Sequence, residues 1–432
     1  MAAKNMVFER LGAGLDEEFQ PAFPFGEYED RWRRTQQEMA RGGVDMLWVS
    51  APEDICYLTG HACSWYHDVG PASWHPVSGV AVHREHDLPI VFDDEDEQLL
   101  VAHLACAPDL RIAPNDFAEG LVERGRTPHD HAGFASAMDY VVQTLKDVGW
   151  LRGAIALQPG SYRPNRRYSQ EFEATLRRHG ATIVDGTDIV AAVRRRKSPL
   201  ELETIRHAAH IGDAGMRALA AEVREGVTEL ELWAAATSAM AHAGGELSAI
   251  PGMVNSGPKN ACLHGYASRR KLQRGDLINV DMCGVVNRYH SNLARCISLG
   301  NPSAQTRTAI DTVTHVYYEV RSAMYPGMPI AELLDINEKA ARTVGIWENA
   351  WWVGGYELGV AFPPDWVGRF AFSAGEDPGG VTLEPGLVMN HEWNFYLPDG
   401  AGIRELIDTF IVTEDAIEFP HEVPADLIIA GS

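Results

Sequence analysis

The chain has no long apolar run, few cysteines and a shortage of positive charge, and each shortage removes a class of protein. Nowhere do about 18 apolar residues follow one another, so no membrane-spanning helix is expected. The opening residues, MAAKNMVFERLGAG, lack the apolar centre of a signal peptide. The six cysteines (Cys56, Cys63, Cys106, Cys262, Cys283 and Cys296) are scattered through mostly apolar stretches, with no CxxC pair. That pattern points to buried free thiols in a reducing compartment rather than a disulfide framework or a zinc site, so a cytoplasmic protein is expected. Lys and Arg number 37 against 60 Asp and Glu, a net charge of −23. Nucleic acid is disfavoured as a partner, because phosphate binding needs clustered basic residues. Internal repeats and low-complexity tracts are absent too.

The 432 residues, 45% of them hydrophobic, are enough to bury a sizeable core in two domains. Residues up to Gly26 are irregular and read as an arm. EYEDRWRRTQQEMARGG is an amphipathic helix stopped by Gly42-Gly43, and VDMLWVS a strand. An aromatic-rich loop, HACSWYHDVGPASWHPVSG, precedes the strand pair GVAVHRE and LPIVFDD. EDEQLLVAHLA, PHDHAGFASAMDYVVQTLKDVGW and NRRYSQEFEATLRRHG read as helices around the strand GAIALQPG. This alternation predicts a mixed α/β domain over residues 1–190 with its N-terminal arm, then a charged linker over 191–198.

From residue 199 to 432 the pattern changes to helices plus an antiparallel sheet, an α+β arrangement. SPLELETIRHAAHIGDAGMRALAAEV opens it, with Ser198 as the cap, Pro199 at the first helical position and Glu201 at the third. The stretch His264 to Arg295 is the densest in chemistry. LINVDMCGV alternates and is β-branched, a strand with Asp281 near its middle; VNRY is a turn and YHSNLARCISL the returning strand. A carboxylate inside such a strand needs a partner, since an unpaired buried charge is expensive. Arg288 and Arg295 are candidates for that purely structural role.

Further polar groups accompany these strands: His264; His290 and Asn292; Tyr356, Glu357 and Asp365 in GGYELGVAFPPDW; His391-Glu392; Arg404-Glu405 with Asp408. Acids and histidines presented by several strands toward one face build a pocket for acid/base work or metal binding. Asp365 can equally cap the turn after Pro363-Pro364. Which of His391 and Glu392 faces inward is open, because neighbours on a strand point to opposite sides.

The order of these segments resembles the creatinase/prolidase/methionine-aminopeptidase superfamily, with its pita-bread catalytic fold. The linker RRRKSPLELETIRHAA is similar to that family's entry into its first catalytic-domain helix, and LEPGLVMNHE and GIRELIDTFIVTEDAIE resemble its last strands. The resemblance implies a creatinase-type N-terminal domain, a pita-bread C-terminal domain and a homodimer. Metal-dependent members use two Asp, one His and two Glu as ligands. Carried over position by position, these fall on Asp281, Asn292, Tyr356, Glu392, and on or near Ile407 with Glu405 beside it. A further histidine of the peptidases falls on Pro363. Two clean matches of five do not make the carboxylate-rich site of a two-metal hydrolase, so no metal cofactor is expected.

The metal-free branch, creatinase and ectoine hydrolase, is more similar. RYHxxLxR (Arg288 to Arg295) and GYELGVAFPPDW resemble ectoine hydrolase segments, and His264, twelve residues before Asp276, stands where creatinase keeps its catalytic histidine. Ala294 replaces creatinase's guanidinium-binding acid, and Glu392 replaces an apolar residue of ectoine hydrolase, so neither substrate carries over directly. The expectation is a C–N hydrolase acting without metal on a small nitrogen-rich or zwitterionic compound. His264, Glu405, Glu392 and Asp281 are its candidate catalytic groups, a histidine's ordinary pKa of about 6.5 suiting proton transfer. Tyr356, Glu357, His290, Asn292, Asp365, Trp352, Trp65 and His67 are candidate substrate contacts, the tryptophans by cation–π contact. The alternatives are a metal-dependent Xaa-Pro peptidase with altered ligands, a lyase on a sulfonium or quaternary ammonium acid, and a non-catalytic binding protein.

Overall fold

The computed structural model describes residues 21–62, 78–94, 97–113, 132–161 and 166–431. Trp65 and His67 lie outside these described residues. The chain divides into two compact units, Met1–Arg194 and Arg195–Ser432.

The first unit is an α/β layer. Helix α1 (Phe25–Arg41) buries Tyr28, Arg31, Trp32, Thr35 and Met39 along one stripe, which is the 3.6-residue spacing its sequence shows. After it come β1 (Met46–Val49), α2 (Pro52–Thr59), β2 (Gly79–His83), β3 (Ile90–Asp94), α3 (Gln98–Leu104), β4 (Asp109–Ala113), α4 (Ala132–Asp147), β5 (Ala154–Leu157), α5 (Arg166–Arg178), β6 (Thr182–Asp185) and α6 (Thr187–Arg195). The sheet runs β4-β3-β2-β1-β5-β6. Strands β2 and β3 pair antiparallel, as their sequence predicts. Strand β4, DLRIA, carries two charges that hide its strand signal; it sits at the sheet edge, and Arg111 pairs with Asp109 (2.6 Å).

The second unit starts with α7 (Pro199–Glu222) and α8 (Glu229–His242). The expected cap on α7 is present: Ser198 Oγ accepts from Glu201 N (3.2 Å) and the Glu201 carboxylate accepts from Ser198 N (2.8 Å). There follow β7 (Met253–Ser256), β8 (Leu277–Val286), β9 (Tyr289–Leu299), α9 (Ala304–Ala323), α10 (Ile330–Thr343), β10 (Ala350–Tyr356), β11 (Ala371–Ser373), β12 (Val388–Tyr396), β13 (Ile403–Val412), β14 (Ile417–Glu418) and β15 (Ile428–Ala430). Among the described residues the sheet has nine strands in the order β11-β10-β12-β13-β9-β8-β7, with β14 on β13 and β15 beside β9.

The hairpin β8–β9 turns through Asn287 and Arg288, both at positive φ (50° and 65°). This mirror-image two-residue turn matches the strand twist. Arginine is a poor fit to that conformation, and its guanidinium compensates by donating to the carbonyls of Leu247 (2.6 Å) and Ala361 (2.9 Å). Helix α7 crosses the hairpin at Gly284, where any Cβ would collide with the backbone of Ala208 and Gly212.

Alternation sorts the sheet into two faces. Ile278, Val280, Met282, Leu293 and Ile297 pack with Met216, Leu219 and Leu232 of α7 and α8. Trp393, Phe395, Leu406 and Phe410 pack with Val313, Tyr317 and Leu333 of α9 and α10. All four helices therefore cover one face, and the residues between these positions in sequence point to the other. The segment after β14 returns to the helix-covered side. Glu418 takes a two-pronged bond from Arg206, His421 sits between Asp213 (3.2 Å) and Ser291 (3.1 Å), and the Val423 and Ala425 carbonyls accept from Arg295 and Arg404.

Candidate active site

Register brings the candidate acids together. Asp281 stands opposite Met253 on one side and Ala294 on the other; Ala294 pairs with Ile407, Ile407 with Glu392, and Glu392 with Gly354. Residues paired in this way point to the same side, so Asp281 and Glu392 both face away from the helices. Glu405, two residues from Ile407, shares that face. The acid sought at Ile407 is thus supplied one repeat earlier on the strand. His391, Arg404 and Asp408 point the opposite way, which resolves the choice between His391 and Glu392.

Neutral amides surround these acids. Asn292 Nδ2 donates to Asp281 Oδ1 (2.6 Å) and to the Met282 carbonyl (3.2 Å). Asn292 Oδ1 accepts from Tyr356 Oη (3.1 Å) and Asn390 Nδ2 (3.1 Å), and Trp366 Nε1 donates to the same Tyr356 oxygen (3.0 Å). Glu392 is held by Asn394 Nδ2 (2.7 Å) and Asn390 Nδ2 (3.3 Å). Both amide hydrogens and both carbonyl lone pairs of Asn292 are occupied.

Burial without a positive partner raises all three carboxyls. Burial pushes Asp281 up to about 7, opposed by the Asn292 bond and assisted by the Asp365 charge. Glu392 is pushed up to about 8, by burial and then by Asp281. Glu405 is raised well above the carboxylate range by burial, then by Asp281 and Glu392, with Arg404 on the other face opposing. Burial, then Glu392 and Asp281, hold the Tyr356 hydroxyl well above its ordinary value, so it is a neutral phenol.

The remaining candidates separate. His264 is exposed on a turn, its ring edge-on to Trp351 at 6.4 Å. The turn sits near Asp281, because Tyr266 bridges to Met253, the residue opposite Asp281. Trp352 stands opposite Asn394 and is partly buried. Asp365 is exposed and caps its turn through Val367 N (3.1 Å). Glu357 is bound by Lys197 (2.8 Å), both buried, which gives it a charge partner 160 residues away in sequence. His290 is buried with both ring nitrogens on backbone: Nδ1 donates to the Arg288 carbonyl (2.8 Å) and Nε2 accepts from Ala249 N (3.0 Å). Burial and Arg288 push it down to about 3, so it is neutral. Neither Arg288 nor Arg295 is the partner of Asp281; that role belongs to Asn292.

Sequence reasoning did not single out Asn390, Asn394 and Asn279. The signal was there as a period of two: Asn390, Glu392 and Asn394 in NHEWN, and Asn279 and Asp281 in NVD. Among the described residues, His210, Asp213 and Glu422 are the set whose ligand atoms all fall within 4.8 Å of one another. They lie on the helix side, where His421 already holds Asp213 and Arg217 holds Glu422 (2.9 Å).

Two family patterns match this chain, the Creatinase/Prolidase N-terminal domain over residues 31–195 and metallopeptidase family M24 over 203–414. The chain belongs to the creatinase/prolidase superfamily. An ectoine hydrolase of Halomonas elongata is 25% identical over 434 residues, covering 95% of this chain and 99% of that protein. An Xaa-Pro dipeptidase of Pyrococcus furiosus is 28% identical over 228 residues, 53% of this chain and 63% of that one. The structure of an Xaa-Pro dipeptidase from Bacillus anthracis superposes with a TM-score of 0.73 at 20% identity, over 93% of this chain and 99% of that chain. These relatives are hydrolases by name, and the chain stands with them in a family of hydrolases. The two-domain pita-bread architecture expected from the sequence is the architecture found. No helix among the described residues is long and apolar enough to cross a membrane.

Proposed function

We propose that the chain hydrolyses a C–N bond of a small nitrogen-rich or zwitterionic compound by acid–base catalysis without a metal. The observation that carries this reading is the bond between Asn292 and Tyr356. These residues occupy two of the family's five metal-ligand positions, and there a saturated amide meets a neutral phenol. Neither group offers an anionic or imidazole donor, and the donor set does not fit a carboxylate-bridged pair of metal ions. With no metal to activate water, a base must take its proton as the oxygen attacks the carbon, and an acid must protonate the leaving nitrogen. Glu392, with its carboxyl near neutrality and both oxygens fixed by amides, suits both steps. His264, exposed on its turn, is placed to exchange protons with solvent.

The match to a metallopeptidase family favours one rival, a metal-dependent peptidase with substituted ligands. Elemental analysis of protein purified without added metal separates the two. The metal-free reading expects well under one metal per chain and no change in melting temperature on adding Mn²⁺ or Co²⁺. The double variant Asn292→Asp, Tyr356→His restores two of the family's ligand types, leaving Glu405 beside the fifth position, and is expected to gain a metal-dependent rise in melting temperature. Stoichiometric metal in the natural protein would sink the reading.

A further inference from the structure

We propose that the first unit carries a binding site for an uncharged, planar heteroaromatic molecule of one or two rings, seated between α5 and the carboxyl ends of β1, β5 and β6. The site stands apart from the hydrolase reading, because all its described lining residues belong to the first unit. Strands β1, β5 and β6 run parallel, and the crevice beyond the carboxyl ends of parallel strands is where open α/β sheets take ligands. Leu47 stands beside Ala156 and Leu157 beside Asp185, so Trp48, Leu157 and Asp185 share one face of the sheet. Helix α5 packs on that face through Tyr168, Phe172 and Leu176, buried about one turn apart. Over the last residues of the strands, helix and sheet leave a cavity of about 230 Å³.

The lining specifies the chemistry of the occupant. The rings of Trp48 and Phe172 meet at 5.2 Å and those of Phe172 and Tyr168 at 6.0 Å, an aromatic wall that suits another flat ring. Trp48 Nε1 is buried with no acceptor. The indole is packed between Phe92, Phe172 and Gly79, where any Cβ would collide with it, so its N–H is fixed in place. Gln158 Oε1 accepts from Ser50 N (2.9 Å) and Ala51 N (3.0 Å), and Nε2 donates to Asp54 (2.5 Å), which leaves the second amide hydrogen without a partner. Two such donors call for a ligand with acceptors, a ring nitrogen or a carbonyl oxygen, since a buried unpaired donor is costly. Toward solvent, Arg177 is matched by Glu173 (2.8 Å), and Asp185 caps α6 through Thr187 N (2.8 Å) with no cation among its described partners. That border disfavours an anionic occupant. A cavity of roughly 150 Å³ holds benzene and drug-sized ligands take about 300 Å³ or more, so this one fits one or two fused rings.

Titrating the full chain at about pH 8 with three uncharged probes tests the site, read from the indole N–H resonances, with Trp48→Phe assigning that of Trp48. Isoquinoline is flat with a ring-nitrogen acceptor, indole is flat without one, and cyclohexanecarboxamide carries an acceptor on a ring that is not flat. Isoquinoline is expected to shift the Trp48 N–H signal and to bind about ten-fold or more tightly than either of the others. Ser169→Phe fills the cavity from a partly exposed position on α5 and should keep the cooperative melting of the natural chain. It is expected to lose the shift and about ten-fold or more in affinity. Trp48→Phe keeps the aromatic wall, and in it the preference for isoquinoline over indole should vanish. A crystal structure of the isoquinoline complex locates the ring should Trp48→Phe fail to fold. Isoquinoline that leaves the Trp48 signal unmoved, or that binds Ser169→Phe as tightly, sits elsewhere. Equal affinity for all three probes would mark a nonspecific apolar void. Each of these results overturns the proposal, and so does binding by none of the probes.

Discussion

The two faces of the second unit's sheet treat buried acids in opposite ways. On the helix-covered face, Asp408 accepts from Arg295 (2.6 Å), Arg321 (2.8 Å) and Tyr317 (3.2 Å). Burial works to raise its carboxyl, but the two arginines outweigh that and hold it below the usual range. Asp213 behaves likewise: burial raises it, and His421 with two backbone amides brings it below its ordinary value. On the open face Asp281 and Glu392 are also buried but bond neutral amides, Glu405 has one carboxyl oxygen without a hydrogen-bond partner, and all three rise. All are buried and the partners differ. Asp408 has two guanidinium groups beside it, whereas Asp281 and Glu392 are held by amides that leave their protons in play.

The largest expected effect breaks the paired face. Arg295→Met leaves Asp408 with one arginine and strands its charge, so a loss of about 3–5 kcal/mol is expected by urea unfolding at neutral pH. A loss under about 1 kcal/mol would show that Arg321 alone suffices. The open face should answer with the opposite sign. A carboxyl raised in the folded state binds protons more tightly there than in the unfolded chain, so stability falls as pH climbs from about 4 to about 8. Glu392→Gln removes that penalty and is expected to stabilise by on the order of 1–2 kcal/mol at pH 8, with little change at pH 5. Melting curves at both pH values decide it, and destabilisation at pH 8 would contradict the unpaired reading. An effect no larger sharpens the comparison: Tyr356→Phe removes the hydrogen bonds to Asn292 and from Trp366 Nε1 and is expected to lower stability by about 1–2 kcal/mol. Smallest of all is His264→Asn. Its side chain is exposed, so stability should stay within about 0.5 kcal/mol, whereas turnover of an identified substrate should drop about 10²-fold or more if it carries protons.

The fold was largely legible because its signals are local. LINVDMCGV and YHSNLARCISL read as strands; β9 has the expected bounds and β8 runs one residue further, to Val286. The Ser198 cap needs three neighbouring residues. The site was legible where one residue replaces another at a family position, as with Asn292 and Tyr356. It was illegible where partners are distant. Nothing near Glu357 announces Lys197, and nothing near Asp408 announces Arg295. Alternation alone left Glu392 and His391 equivalent, and the packing of Trp393 and Phe395 against α9 and α10 is what turned His391 inward to the helices.

The return of residues 417–425 to α7 has a consequence for the order of folding. Arg206 and Glu418 are 212 residues apart, His421 and Asp213 are 208, and Arg295 and Val423 are 128. Until those last residues leave the ribosome, Asp213, Ser291, Arg295 and Arg404 lack partners they hold in the finished unit. A nascent chain can form the hairpin and its helix cap early, but closing the ring of contacts waits for residues 417–425. The second unit is thus fastened by a stretch synthesised after β7–β13, and a truncation after Val412 should yield a protease-sensitive species in which Asp213, Arg295 and Arg404 lack these partners.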